Sequence, residues 1–152
     1  MATNPKEYYP PMHTAEHILN QTMVRMFGTE RSFSNHIERR KSKCDYHFDR
    51  NLTDSERTSL QVEINRVIVS NIQVSEYFMD INEAKYSFNL ERIPENSGDD
   101  IRIIKIGDYD TCLCSGVHVS KTNEIGNVRI ISSSHDNGVL RIRFKLQNKT
   151  TV

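Results

Sequence analysis

Apolar residues recur at helical spacing in two segments of the chain. The first segment runs from Met12 or His13 to Phe27. Its apolar positions form one stripe: Ala15, Ile18, Leu19, Met23, Met26 and Phe27. The second segment lies in LTDSERTSLQVEINRVIVSN, where Thr53 and Glu56 have the spacing of a capping box. Its apolar face consists of Leu60, Ile64, Val67 and Ile68. We therefore predict two main helices.

Apolar and polar residues alternate elsewhere, which is typical of half-buried strands. Residues 31–49 alternate on either side of the basic segment ERRKSK, so we predict a hairpin there. Further strands are predicted over 74–81 and in IRIIKIGD, with a loop at PENSGDD and a mostly irregular segment YDTCLCSGVHVSKTNEIG. The segment NVRIISSSHDNGVLRIRFKL predicts a long hairpin that turns at residues 136–138. The predicted fold class is α+β, an antiparallel sheet with two main helices packed against it.

The composition is that of one globular domain. The 152 residues are 36% hydrophobic, which is enough for a single core, and we expect one domain over residues 1–152. Twenty Lys and Arg balance twenty Asp and Glu, so any contact with nucleic acid must come from a local patch. Neither a membrane-spanning apolar run nor a secretory signal is present in the sequence, so we expect a cytoplasmic protein without a membrane contact.

Two short motifs bring together residues that bind metals. The stretch HTAEHIL places His13 and His17 one helical turn apart, and CSGVH contains Cys114 and His118 at a similar spacing. Three cysteines without an export signal argue against a disulfide framework, so the thiols are available for metal binding, catalysis or packing. Zinc prefers mixed imidazole and thiolate ligands. The two pairs therefore predict a Zn2+ site.

Two hydrolytic mechanisms would use the same histidines and cysteine in a different way. A zinc protease needs a glutamate directly after the first histidine, but that position is Thr14, and we interpret Glu16 as a helix-surface charge. A Cys–His hydrolase with Cys114 as nucleophile stays open, although it leaves the paired histidines unexplained. Four protein ligands normally close a structural zinc site. Either the zinc accepts a fifth ligand, or one residue, for which we choose His118, binds loosely.

Three motifs in order, HTAEHIL, CSGVHV and KTNEIGNVRII, resemble the editing domain of alanyl-tRNA synthetase. That family has H-T-A-x-H-L-L, then C-G-G-T-H-V followed by T-x-E-I-G. The resemblance covers essentially the whole chain and implies a threonyl/alanyl-tRNA synthetase editing-domain-like fold. At this length and without an aminoacylation domain, the chain resembles the smallest freestanding members, the trans-editing proteins of the AlaX type, rather than the synthetase itself, and we expect it to act in trans. The related second additional domain of threonyl-tRNA synthetase shares both ligand pairs but fits TNEIG less well.

The resemblance implies zinc-dependent hydrolysis, in trans, of the ester that joins a wrong amino acid to the acceptor end of tRNA, chiefly serine or glycine on alanine tRNA. It makes four residues both metal ligands and catalytic centre: His13, His17, Cys114 and His118. Ser34 and His36, which alternate onto one strand face, are expected to contact the substrate, as is Val117. Val117 stands where the family has threonine, and Ser115 where it has glycine, so the preferred amino acid and tRNA stay open.

A neutral chain needs a local surface to bind tRNA. The basic segment offers four predicted tRNA contacts: Arg39, Arg40, Lys41 and Lys43. For this patch and the next, the alternative is a solvated charged surface that keeps the protein soluble. The last strand has a second basic face, formed by Arg141, Arg143 and Lys145. Two competing interpretations remain, a catalytically silent zinc-stabilised module that binds RNA or a synthetase, and an editing factor for serine on threonine tRNA. The oligomeric state, a homodimer included, is left open.

Overall fold

The computed structural model describes residues 9–84 and 100–147, and all structural statements below concern this part of the chain. The elements in chain order are α1 (Pro10–Phe27), β1 (Ser34–His36), β2 (Ser42–His47), α2 (Asp54–Val69), β3 (Val74–Asp80), α3 (Ile81–Ala84), β4 (Asp100–Ile106), β5 (Asp110–Leu113), a 3-10 helix (Thr122–Ile125), β6 (Asn127–Asp136) and β7 (Val139–Gln147). The loop predicted at PENSGDD lies outside the described residues, except for its last residue. No described helix is both long and apolar enough to cross a membrane.

The strands form two antiparallel sheets. One has four strands in the order β1-β2-β7-β6, and the other has three in the order β3-β4-β5. The α+β class is confirmed, and the predicted hairpin from β6 to β7 turns through Asn137 and Gly138, which both have positive φ. The segment predicted to be mostly irregular contains two short elements, β5 and the 3-10 helix. Helix α1 belongs to the main core and also contacts β5 of the three-stranded sheet.

Helix α1 is enclosed over its first half. It begins at Pro10, earlier than the apolar pattern predicts, because a proline is tolerated in the first turn of a helix, where its missing N–H has no helical acceptor. All nine residues from Met12 to Asn20 are buried, the polar ones included. The last turn differs, since Met26, predicted to be buried, is 38% exposed. The polar side chains of the first half therefore lie in the interior.

Helix α2 packs in the main core with the inner face of the four-stranded sheet. At its start the Glu56 N–H donates to Thr53 Oγ1 and the Thr53 N–H donates to Glu56 Oε1, so the predicted capping box is confirmed. Its predicted apolar face is buried: Leu60, Ile64, Val67 and Ile68. These residues share one core with the apolar side of β7: Leu140, Ile142 and Phe144. The basic residues of β7 consequently lie on the outer face of the sheet.

Helix α2 also covers the free backbone edge of β6, the last strand of its sheet. The Asn65 side chain accepts from the Val128 N–H at 2.8 Å and donates to the Val128 carbonyl at 2.9 Å. Gln61 Oε1 accepts from the Ile130 N–H at 2.8 Å. An unpaired strand edge is a template for aggregation. The two amide side chains form hydrogen bonds with backbone groups of β6 that would otherwise be free to pair with a further strand.

We expect Asn65→Ala to lower the free energy of unfolding by about 1–3 kcal/mol, because the N–H and C=O of Val128 lose their partners in a partly buried position. Urea denaturation measures the difference. Ser59→Ala, at an exposed position of the same helix, is the matched control and should unfold like the wild type. Equal unfolding midpoints for the two variants would contradict the role of Asn65.

Candidate metal centre

The four predicted ligands lie together in the fold. His13 and His17 come from α1, Cys114 directly follows β5, and His118 lies in the loop that leads to the 3-10 helix. One ligand atom from each residue lies within 4.8 Å of the others. The two histidines of α1 are buried, and Cys114 and His118 are half-buried. Residues from distant parts of the sequence therefore form one cluster, which could hold a metal ion.

Three imidazole rings surround the thiol. The rings of His13 and His118 stack with their centroids 4.0 Å apart. The ring of His17 lies edge-on to both, at 5.0 Å from His13 and 4.4 Å from His118. The Sγ atom of Cys114 is 3.2 Å from His13 Nε2. The donor atoms of the cluster thus face a common interior volume.

Each histidine has an outer partner at its Nδ1 atom. The contacts are His13 Nδ1 with the Val117 carbonyl at 3.0 Å, His118 Nδ1 with Thr14 Oγ1 at 2.9 Å, and His17 Nδ1 with Asp110 Oδ2 at 3.6 Å. Histidines that bind metals usually have their second ring nitrogen fixed by a carbonyl, carboxylate or other polar group. The Nε2 atoms of His13 and His118 are therefore the ones available to a metal, whereas His17 Nδ1 has no hydrogen-bond partner among the described residues.

A buried carboxylate stands behind His17. Asp110 Oδ1 accepts from Arg31 Nη1 at 2.7 Å and from Gln21 Nε2 at 2.9 Å. Burial alone would raise the pKa of Asp110, but hydrogen bonding to His17 and the charge of Arg31 outweigh it and lower this pKa to about 2. Asp110 is therefore ionised at neutral pH, and its charge favours a fixed orientation of the His17 ring.

The electrostatics of the cluster favour a thiolate. Burial opposes ionisation of Cys114, but the neighbouring imidazoles of His118, His13 and His17 lower its pKa to about 2. Burial also lowers the pKa of His17, but Asp110 and Cys114 more than compensate and raise it to about 9. The pKa of His118 falls to about 4, mainly through burial. Cys112, outside the cluster, behaves differently, because burial raises its pKa to about 11.

The donor set fits a zinc ion. A thiolate and neutral imidazoles are the protonation states that bind Zn2+, so the raised pKa of His17 means that its ring loses a proton when the ion binds. The Nε2 atom of His118 is buried and has no hydrogen-bond partner among the described residues. A buried polar atom without a partner costs free energy, which a bond to a metal would offset. These residues can therefore hold a metal ion, as their spacing in the sequence predicted.

Arg102 of β4 holds the loop that contains Cys114. Its Nη1 donates to the Cys114 carbonyl at 2.9 Å and to the Gly116 carbonyl at 2.6 Å. Its Nε forms an ion pair with Glu76 of β3. A Cβ atom at Gly116 would collide with the ring of His13. The close approach of this loop to α1 thus requires glycine at position 116.

Several residues of the site were missed from the sequence. They surround the ligands: Thr14, Glu16, Arg31, Arg102 and Asp110. The interpretation of Glu16 as a surface charge was wrong, because α1 is enclosed there; Glu16 is 3% exposed, and its Oε1 lies 3.8 Å from His13 Nε2. The sequence did contain a signal for Asp110, because Asp110, Cys112 and Cys114 are every second residue from the start of β5, and such residues share a strand face. No sequence pattern marked Thr14 or Arg102 as a site residue, apart from the position of Thr14 within HTAEHIL and of Arg102 within a predicted strand.

The predicted pocket residues of β1 lie on the outer face of the four-stranded sheet. Ser34 and His36 are exposed, and His36 Nε2 is 3.2 Å from Glu38 Oε1. No hydrogen bond or ion pair in the described part of the chain joins them to the metal cluster. Asn35, between them, is paired with the buried Cys44 and shares its face. A role of Ser34 and His36 in substrate binding stays a prediction.

Val117 and the basic segment are placed differently. Val117 is 50% exposed beside His118, while its carbonyl contacts His13. Arg39, Arg40 and Lys41 are exposed between β1 and β2. Lys43, predicted to be a loop residue, belongs to β2. The predicted contacts of these residues with substrate and tRNA are not tested by the structure.

Comparison with known proteins identifies related domains. Residues 101–143 match the family model of the threonyl and alanyl tRNA synthetase second additional domain, a range that includes Cys114 and His118. The alanine–tRNA ligase of Fervidobacterium nodosum is 33% identical over 123 residues, which cover 80% of this chain and 14% of the ligase. The alanine–tRNA ligase of Methanopyrus kandleri is 29% identical over 136 residues, which cover 87% of this chain and 15% of the ligase.

The chain therefore spans only about one seventh of the length of these relatives, with matched shares of 14% and 15%. The similarity covers most of this chain and includes the motif around Cys114. Together with the clustered histidines and cysteine, it confirms the resemblance that the motifs indicated. The chain belongs to the alanyl-tRNA synthetase editing-domain family, which is related to the second additional domain of threonyl- and alanyl-tRNA synthetases.

Proposed function

We propose that this chain hydrolyses the ester bond of mischarged aminoacyl-tRNA, chiefly serine or glycine carried by alanine tRNA. The observation that carries the proposal is the convergence of His13, His17, Cys114 and His118 within 4.8 Å. The similarity to alanine–tRNA ligases supports tRNA as the substrate class. A synthetase pocket rejects serine or glycine only weakly, because one hydroxyl or methyl group is worth a few kcal/mol, so a second hydrolytic site is needed.

Zinc is the proposed cofactor at this cluster. When bound, it would act as a Lewis acid that polarises the ester carbonyl or lowers the pKa of an attacking water. The residues of the chain hold and orient the ligands: Asp110 fixes His17, Thr14 contacts His118, and the Val117 carbonyl fixes His13. Burial of His13 and His17 keeps bulk water away from the α1 side of the cluster.

The substrate is proposed to approach from the side of His118 and Val117. Four protein ligands close a tetrahedral zinc site, so a hydrolase needs either a fifth coordination position or a loose ligand. His118 is our choice for the loose ligand, because it is half-buried in a loop, whereas His13 and His17 are fixed on a buried helix. The exposed Val117 side chain borders this side and is proposed to contact the aminoacyl group.

The main test is ester hydrolysis by the purified chain. Alanine tRNA charged with serine, glycine or alanine, and threonine tRNA charged with serine, are incubated with the protein, and loss of the labelled amino acid is followed. We expect release of serine or glycine from alanine tRNA, and loss of that activity after treatment with a chelator and its return with Zn2+. Retention of all four esters would favour a silent RNA-binding module.

The two cysteines near the site provide a matched pair of variants for the same assay. Cys114→Ala should lose both zinc and hydrolysis, because it removes the one thiolate of the cluster. Cys112→Ala should retain both, since Cys112 lies outside the cluster and its raised pKa keeps its thiol protonated. Full activity of a zinc-free sample would sink the metal mechanism.

We expect Asp110→Asn to weaken zinc binding by about 10- to 100-fold, the usual effect of removing a charged partner of a ligating histidine. Competition with a chromophoric chelator measures the affinity. Asp108→Asn, an exposed aspartate two residues earlier, is the control and should bind zinc like the wild type. The same affinity in both variants would show that Asp110 does not act through His17.

A further inference from the structure

Cations lie directly opposite one another on the outer face of the four-stranded sheet. Lys43 of β2 is paired with Arg143 of β7, and Lys145 of β7 is paired with Arg129 of β6. Directly paired residues of an antiparallel sheet present their side chains on the same face. We name Lys43, Arg129, Arg143 and Lys145 the basic sheet face. All four are exposed or half-buried.

This arrangement costs stability. Like charges directly opposite each other across two strands are destabilising. Among the described residues no carboxylate forms an ion pair with any member of the basic sheet face. At the next residue pair on the same face, the sheet does place a carboxylate beside a cation: Arg141 donates to both oxygens of Asp45 at 2.8 and 2.9 Å. In the part of the chain that the structure describes, Arg143 Nη1 donates only to the neutral hydroxyls of Ser132 and Ser134, at 3.3 and 3.4 Å. The absence of a carboxylate partner on this face therefore points to an anionic ligand.

The basic segment continues this surface. Ser42, at the start of β2, is paired with Phe144, so the loop before Ser42 lies beside the end of β7 that contains Lys145. That loop exposes Arg39, Arg40 and Lys41. The two patches that the sequence offered as alternatives are thus neighbours on one surface. The chain as a whole is neutral, with twenty cationic and twenty anionic side chains, so this clustering of one sign is a local feature.

We propose that the basic sheet face and the adjoining loop bind the phosphate backbone of RNA. Neighbouring strands are about 5 Å apart, and alternate residues along a strand are about 7 Å apart, so the cations form a compact grid that a polyanion can cover. Phosphates between the opposed pairs would relieve their repulsion, and phosphate contacts provide most of the affinity of such complexes. Arg141 contributes little, because Asp45 neutralises it. The inference rests on the proposed function for tRNA as the RNA concerned.

The test compares two double variants that remove the same charge. Arg143→Gln with Lys145→Gln changes the basic sheet face, and Arg66→Gln with Lys105→Gln removes two cations from α2 and β4. Binding of uncharged alanine tRNA is measured by fluorescence anisotropy at several salt concentrations. We expect the slope of log K against log salt to fall by about two in the first variant, since each lost phosphate contact contributes about 0.9. The control should keep the wild-type slope.

Thermal unfolding provides a second readout. The Tm of the sheet variant should equal or exceed that of the wild type, because the substitutions remove repulsion between like charges, so weaker RNA binding would not reflect unfolding. Equal salt slopes in the two double variants, or a lower Tm in the sheet variant than in the control, would overturn the proposal.

The outcome can be separated from that of the proposed function. If the wild type hydrolyses the ester while the sheet variant keeps the wild-type salt slope of RNA binding, the proposed RNA-binding role of the basic sheet face is refuted and the proposed hydrolysis is retained. If the wild type hydrolyses none of the esters but binds RNA with a slope that the sheet variant reduces, the function is refuted and the surface stands.

Discussion

Three imidazoles and one thiolate share a small interior volume between α1 and the loop after β5, and the surrounding structure is arranged around them. Buried polar groups need partners, because leaving them without hydrogen bonds costs several kcal/mol. On the outer side, the Val117 carbonyl and Thr14 contact the Nδ1 atoms of His13 and His118, and Asp110 lies 3.6 Å from His17 Nδ1. On the inner side His13 Nε2 lies 3.2 Å from the Cys114 sulfur, and His118 Nε2 has no hydrogen-bond partner among the described residues. A divalent cation would satisfy all four groups at once, so the cluster can hold a metal ion.

The two sheets position different parts of this cluster. The three-stranded sheet brings in Asp110 and Cys114, and Arg102 fixes the loop that follows. The four-stranded sheet forms the core with α1 and α2 and turns its basic face outward. Thr122, which follows the ligand loop, accepts from the Ile72 N–H and donates to the Ile68 carbonyl at the end of α2. The loop with His118 is therefore tied at both ends to elements of the core.

Local signals in the sequence were sufficient for most elements and for the four clustered residues. The capping box and apolar period predicted α2, the Asn137-Gly138 turn predicted the last hairpin, and the two motifs contained the four residues that cluster in the fold. What failed depended on contacts between distant segments. Periodicity cannot show that a polar helix face is enclosed, so Glu16 was misplaced. Alternation predicts two strand faces but does not show which face packs against the core. On β1 the residue that shares a face with the buried Cys44 is Asn35. The partner of His17 lies on a strand whose position only the fold reveals.

Titration of the metal-free chain with Co2+, followed by absorption spectroscopy, tests the metal centre most directly. Three imidazoles and one thiolate in a tetrahedral site predict saturation at one ion per chain, visible d–d bands and a thiolate-to-cobalt charge-transfer band, all removed by added Zn2+. Absence of saturable binding, or an identical charge-transfer band in a chain without the Cys114 thiol, would contradict the assignment.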